Sequence, residues 1–439
     1  MSHGQGGGVI YTLGIRENMR PFLEQLLQVF FVGLTIGLQR TVIPALAKTE
    51  FGVVQGSMTA IFAFIVSFGV VKGAMNFVSG RLSERVGRRR VLIWGWLVAL
   101  PIPFMILWAP TWGWIVAANV LLGVNQGFCW SMTVTAKMDI VKASERGLAT
   151  GFNEFAGYGG VALAGLVTGY LASFFDPRMS LFAFGLVVIL VALAAGLIAF
   201  TETLPYAKAE AAYQKSGRAT GPRPRYVEGP DNPTARQVFA LVSWGNPTFM
   251  ALSQAGSVEK FVDALMWALV PVFMLNKGAS LIEIGWVTSV YGFVWGGSQL
   301  WTGPLSDVFG RKWPTVVGFI LCSGGVLVFP LLDGFVGWTV VAAVTGIGMA
   351  LLYPTLIAAM SDIAHPSWRG SALGVYRFWR DLGYAIGALA MGLIADAAGM
   401  LEAGFWVTGI AMLLSAIWLV VAMEETHPRL NPAPEPEGA

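Results

Sequence analysis

A short basic segment occurs twice in this chain. Gly80-Arg81-Leu82-Ser83-Glu84-Arg85-Val86-Gly87-Arg88-Arg89-Arg90 returns as Gly303-Pro304-Leu305-Ser306-Asp307-Val308-Phe309-Gly310-Arg311-Lys312, 223 residues later. Each copy lies between two long apolar stretches. The same offset pairs Gly73 with Gly296, Gly123 with Gly346 and Asp139 with Asp362. It also pairs Arg146-Gly147 with Arg369-Gly370, and Gly151, Gly160 and Gly169 with Gly374, Gly383 and Gly392. One shift held without gaps implies two structural repeats with the same direction through a membrane.

The apolar stretches are long enough to span a bilayer. The 439-residue chain is 55% hydrophobic and 12% charged, about half the charge of a soluble domain. Spans of about 20 apolar residues are expected at 22–47, 56–79, 90–109, 112–136, 148–173, 179–200, 247–275, 281–302, 314–332, 336–360, 371–397 and 402–423. In lipid these must be helices, because the backbone has to satisfy its own hydrogen bonds. The expected fold is therefore all-α integral membrane, with twelve helices as two pseudo-symmetric halves at 22–200 and 247–423. A linker at 201–246, rich in Pro, Gly and charge, reads as a flexible or amphipathic connector. Tails at 1–21 and 424–439 complete the chain.

Basic residues concentrate in alternate loops: Arg81, Arg85 and Arg88 to Arg90; Lys142 and Arg146; the linker; Arg311 and Lys312; Arg369. The opposite loops hold only Lys48, Arg178 and Lys277. The positive-inside rule predicts both termini in the cytoplasm of a bacterial-type inner-membrane protein. No long basic run suggests nucleic acid. Cys129 and Cys322 lie in apolar segments, so a structural disulfide is not expected. The three histidines lie near the tails or in a loop, and no Met-x-x-x-Met array occurs, so no intramembrane metal site is expected. No HExxH, GxSxG or nucleotide-phosphate loop is present, which argues against an enzyme and against ATP as the energy source.

These residues resemble the major facilitator superfamily. Its signature, approximately G-x-L-a-D-r-x-G-r-[KR] between helices 2 and 3, is matched by Gly80, Leu82, Glu84, Arg85, Gly87, Arg88 and Arg89, with Glu for Asp. Gly303, Leu305, Asp307, Gly310, Arg311 and Lys312 repeat it between helices 8 and 9. The antiporter branch usually has Arg three residues before Gln126-Gly127, where this chain has Gly123. That branch also has a helix 5 proline missing from Gly151–Gly160. The resemblance implies transport of a small solute by alternating access. It also implies that Glu84 faces the start of helix 11 and Asp307 the start of helix 5, as gate latches. A carboxylate near a helix N-terminus is favourable by roughly 0.3–1 kcal/mol.

Ionisable residues inside the spans are candidates for substrate binding and coupling, since each costs roughly 2.5–3.5 kcal/mol to insert. Arg40 in helix 1 is the repeat partner of Asp263 in helix 7. A pair near the outer gate is expected, with snorkelling of Arg40 as the alternative. Glu259 and Asp263 share a helix face, with Lys260 directed elsewhere. Their carboxylates are candidates to carry a proton, or belong to a local charge network. Lys72, Arg377, Arg380 and Asp381 lie at comparable depth, three cations against one carboxylate. Either a substrate anion or another helix supplies the missing charge, Glu154 being the natural candidate. Gln126 and Asn153 add polar lining, with Trp130, Tyr158, Tyr353, Tyr376 and Tyr384.

The expected function is a monomeric secondary transporter without cofactor, driven by a proton gradient, with a lean toward an organic anion and drug-like efflux also open. A scaffold factor that kept the fold without transport, and a carrier of a metal or metal chelate, are the alternatives.

Overall fold

The computed structural model describes residues 2–6, 9–49, 51, 58–215, 225–229, 233–279 and 281–432. The first half comprises helix 1 (Met19–Thr49), helix 2 (Met58–Val86), helix 3 (Arg88–Ala99, then Pro101–Leu107), helix 4 (Trp112–Ile140), helix 5 (Arg146–Phe174) and helix 6 (Pro177–Ile198). The second comprises helix 7 (Pro247–Ala264, a π turn Leu265–Leu269, then Val270–Asn276), helix 8 (Leu281–Phe309), helix 9 (Lys312–Val328), helix 10 (Phe335–Ile363), helix 11 (Arg369–Ala398) and helix 12 (Glu402–Ala422). Nine of the described helices are long and apolar enough to cross a membrane by length and composition. Helices 2, 7 and 8 complete the expected set.

Starts and stops follow local chemistry. Asp176 caps helix 6, its Oδ1 accepting from Met179 N at 2.7 Å ahead of Pro177, and Asn246 caps helix 7 in the same way. The signature segments are less loop-like than their composition suggests. Helix 2 runs on to Val86 and helix 8 to Phe309, each broken at a glycine: Gly87 at φ 97° and Gly310 at φ 90°. Gly87 has ψ 160°, a backbone region that only glycine occupies readily.

Two seams join the halves. Helix 2 packs along helix 11 and helix 8 along helix 5, an arrangement that the repeat relates to itself. Glycines make the close approach possible on the side bearing the basic loops. A Cβ on Gly303 would lie 2.4 Å from Gly147 O, and one on Gly80 would lie 2.5 Å from Gly370 O. Both neighbours are backbone, so neither can swing aside. The basic side of the bundle is thus closed.

Two segments hold more structure than their composition suggests. The N-terminal tail forms an antiparallel hairpin, Ser2–Gly6 with Val9–Thr12. It leads to Asn18, whose Nδ2 donates to Ile140 O at 3.1 Å at the end of helix 4. The linker is not a flexible connector throughout. It carries a helix, Leu204–Lys215, and a short one, Ala235–Ala240, with a full capping box at Thr234 and Gln237.

Gly303→Ala is expected to lower stability in detergent by about 1–3 kcal/mol, as overpacking does. Gly159→Ala, whose new Cβ meets nothing within 4 Å, is expected to change it by less than about 0.5 kcal/mol. Thermal unfolding of the two variants side by side measures the difference.

Candidate functional site

The centre of the bundle is charged. On helix 7, Glu259, Lys260 and Asp263 are all fully buried. Lys260 Nζ lies 2.7 Å from Asp263 Oδ2 and 3.6 Å from Glu259 Oε1. It therefore does not point elsewhere, as face-counting by four suggests, because a three-residue step also brings neighbours together. Tyr291 OH donates to Asp263 Oδ1 and Tyr384 OH to Asp263 Oδ2, each at 2.9 Å. Arg380 Nε donates to Glu259 Oε1 at 2.7 Å. Helix 7 thus supplies the carboxylate for Arg380, where the sequence suggested Glu154. Tyr353 stacks under both cations, 3.7 Å from Arg380 Cζ and 4.7 Å from Lys260 Nζ.

A second group joins the halves. Lys72 Nζ on helix 2 lies 3.5 Å from Asp381 Oδ2 on helix 11. Asn76 Nδ2 donates to the same oxygen at 2.6 Å and is itself fixed by Ser131 Oγ at 2.7 Å. Glu154 on helix 5 accepts from Trp130 Nε1 at 3.1 Å and from Asn153 Nδ2 at 2.8 Å. Lys137 Nζ donates to Asn153 Oδ1 at 2.9 Å. Among the described residues Glu154 forms no ion pair. Gln126 does not line a site alone: its Nε2 donates to Val32 O at 3.2 Å and Thr35 Oγ1 at 3.1 Å, tying helix 4 to helix 1.

The arrangement leaves unsatisfied atoms. Arg377 is 1% exposed, and none of its three guanidinium nitrogens has a partner among the described residues. Glu154 Oε2, Asp381 Oδ1 and Glu259 Oε2 are also unpartnered there. Leaving a buried polar atom without a hydrogen bond is costly, so these atoms are the candidates to meet a ligand or a proton. The Arg40 side chain lies outside what the structure describes, and with it the expected Arg40–Asp263 pair. Asp263 itself has Lys260, Tyr291 and Tyr384 as partners.

The basic side carries a second network. Glu84 accepts from Ser371 N and Ser371 Oγ, both at 2.6 Å, at the start of helix 11. Asp307 accepts from Gly147 N at 3.0 Å and Leu148 N at 2.9 Å, at the start of helix 5. Arg88 Nε pairs with Asp139 Oδ2 at 2.8 Å, and its repeat partner Arg311 with Asp362 Oδ2 at 2.9 Å. Arg85 is exposed.

A family model described as Major Facilitator Superfamily matches residues 26–259 and 255–438. The chain belongs to the major facilitator superfamily. Members of this superfamily are transporters, not enzymes, and the chain is a multi-pass membrane protein. It is 23% identical over 416 residues to the proton-coupled antiporter flippase LtaA of Staphylococcus saprophyticus, covering 93% of this chain and 95% of that one. A shorter match, 26% over 157 residues, links it to an uncharacterised MFS-type transporter of Methanocaldococcus jannaschii, spanning 36% of this chain and 40% of that relative. The crystal structure of the human organic anion transporter MFSD10 has a TM-score of 0.74 at 15% identity, over 91% of this chain and 99% of that one. That likeness shows the shared fold.

Within this superfamily fold, four residues of the networks escape a reading by motif. Glu202 accepts from Arg88 N at 2.9 Å and Arg89 N at 3.2 Å. Glu425 does the same for Arg311 N at 2.8 Å and Lys312 N at 3.2 Å. They stand 223 residues apart, so the repeat offset would have found them. Lys137, on helix 4, sits near the end of its span. Glu210, in the linker, has no repeat partner. Burial alone would raise its carboxyl pKa. The charges of Arg369 and Arg146, with hydrogen bonds from Arg369 and Tyr226, outweigh that and hold it below the usual 4.5.

Two outcomes are expected. Asp381→Asn leaves Lys72 without its carboxylate and should cost about 3–5 kcal/mol, with Lys72→Met in the same chain recovering much of it; thermal unfolding in detergent reads both. Glu210 has a lowered folded pKa, so its stabilisation is present above the unfolded value and is lost as pH falls through the folded one. The stability difference between wild type and Glu210→Gln should be flat from about pH 8 to about pH 5 and shrink only below about pH 4.5.

Proposed function

We propose that this protein is a secondary active transporter that carries a small organic anion by alternating access, coupled to protons, as a monomer in a bacterial-type inner membrane. The observation that carries the substrate class is Arg377, a buried guanidinium without a hydrogen-bond partner among the described residues. Around it the described central cations are Lys72, Lys137, Lys260, Arg377 and Arg380, against the carboxylates of Glu154, Glu259, Asp263 and Asp381. One anionic group on the substrate would complete the set. That MFSD10, which shares the fold, is an organic anion transporter supports this class. The charge of its loops supports the basic side as the cytoplasmic one, with both termini there.

Glu154 is the proton carrier on this reading. Glu259, Asp263 and Asp381 each lie beside a cation, whereas Glu154 has only neutral donors and one free oxygen. That LtaA is described as proton-coupled supports the driving force. Protonating Glu154 adds positive charge to the centre, so it favours an anion there. By reciprocity the anion favours the proton. The coupled sense is therefore symport of proton and anion.

Reconstituted vesicles with an alkaline interior, screened with a panel of organic anions, should accumulate the substrate. Arg377→Gln should raise KM at least tenfold, the weight of one charged hydrogen bond. Glu154→Gln should abolish dependence on the pH gradient while leaving exchange of the substrate intact. No gradient-dependent flux across the panel would sink the transport reading, and accumulation driven only by an acidic interior would overturn symport.

A further inference from the structure

The repeat predicts a symmetric gate, and the structure departs from it at one place. Arg146 and Arg369 head helices 5 and 11 and are repeat equivalents. Arg146 crosses the seam, its Nη1 2.8 Å from Asp362 Oδ1. Symmetry would have Arg369 do the same with Asp139. Asp139 is held by Arg88, as Asp362 is by Arg311, but it also accepts from Thr203 Oγ1 at 2.9 Å, at the start of the linker. Arg369 keeps a bond across the seam, Nη1 to Met138 O at 3.1 Å, as Arg146 does to Ser361 O, and adds Glu210: Nη1 donates to Oε2 and Nη2 to Oε1, both at 3.0 Å. Glu210 Oε1 also lies 3.7 Å from Arg146 Nη2 and accepts from Tyr226 OH at 2.9 Å.

One carboxylate, 4% exposed, therefore answers an arginine from each half. The position one repeat later is Ala433, so no second copy of this device exists in the sequence. The linker is anchored on both sides of it. The helix Leu204–Lys215 packs on helix 4, and Val227 N donates to Ile363 O at 2.9 Å at the end of helix 10. The Tyr226 ring lies edge-on to His365 with 5.5 Å between centroids.

We propose that Glu210 is a third latch of the basic-side gate, through which the linker itself sets the balance between closed and open states. Two buried guanidiniums meet at the seam and repel. Glu210 supplies the negative charge that lets them stay together, and the bidentate fork fixes the geometry. When the halves part, Glu210 must release one of them. The linker is then a part of the gate.

Paired spin labels test this without any substrate. Ser144 and Ser367 are exposed repeat equivalents in the loops before helices 5 and 11, and the native cysteines are buried. Ser144→Cys/Ser367→Cys labelled protein in nanodiscs gives the ratio of long to short distances. Glu210→Gln should raise that ratio about tenfold, as loss of a charged hydrogen bond predicts. Tyr226→Phe, a milder change, should shift it less and in the same direction. Arg369→Gln combined with Glu210→Gln should shift it further than Glu210→Gln alone, because Arg369 also donates to Met138 O across the seam. An unchanged ratio in both Glu210→Gln and Tyr226→Phe overturns the proposal. So does a lowered melting temperature with an unchanged ratio, which would make Glu210 a packing residue only. Because the readout needs no transport, a failed uptake screen leaves this result standing.

Discussion

An ionisable side chain taken out of water must recover its solvation from the protein, and this constraint organises the bundle. Lys260 and Arg380 sit in the centre because Asp263, Glu259 and the Tyr353 ring meet them there. Arg88, Arg146 and Arg311 are buried near the basic side because Asp139 and Asp362 meet them. A pair such as Arg146 with Asp362 spans the seam, so its full strength exists only while the halves are together. Breaking such a pair without a replacement would cost about 3–5 kcal/mol, which would hold the gate shut. Carriers therefore need the surrounding backbone amides, waters and alternative partners to take up the charges as the seam opens.

Glycine sets how strongly those charges can act. Gly147 against Gly303, and Gly80 against Gly370, bring backbones close enough for Asp307 to reach two amides of helix 5 and Glu84 to reach Ser371. With a side chain at either contact, the carboxylates would be held off by more than hydrogen-bond reach. Packing and electrostatics at the seam are one interaction, and the glycines of the repeated segment serve both.

The fold was legible because its cause is local. Apolar length and the 223-residue offset declare helices and halves without any knowledge of contacts. The signature carboxylates were legible for the same reason, since each lies in a repeated pattern. Glu210 was not: one acidic residue in a polar linker looks solvated, and only its meeting with Arg369, 159 residues away, buries it. The partner of Arg380 is not legible in the sequence, because depth along a span does not say which neighbouring helix faces it. Glu259 on helix 7 and Glu154 on helix 5 were equally available by depth. Glu202 and Glu425 were within reach of the offset but lay just beyond the apolar spans, where acidic residues look like ordinary helix ends.

The offset also locates where the two halves have parted in chemistry. Glu154 and Arg377 occupy the same repeat position with opposite charge, and both retain unpartnered polar atoms among the described residues. At the gate, equivalent positions have stayed alike, Arg88 with Arg311 and Asp139 with Asp362, because a rocking motion needs matched hinges on both sides. At the centre, likeness would have been a fault. Two carboxylates at this position would leave the anion no attraction, and two guanidiniums would leave no site for a proton. A single position diverging to opposite signs gives the proposed coupling both of its parts. On the count of central cations and carboxylates, the empty centre and the protonated, anion-loaded centre carry the same net charge, and these are the states in which a carrier should cross between its two faces.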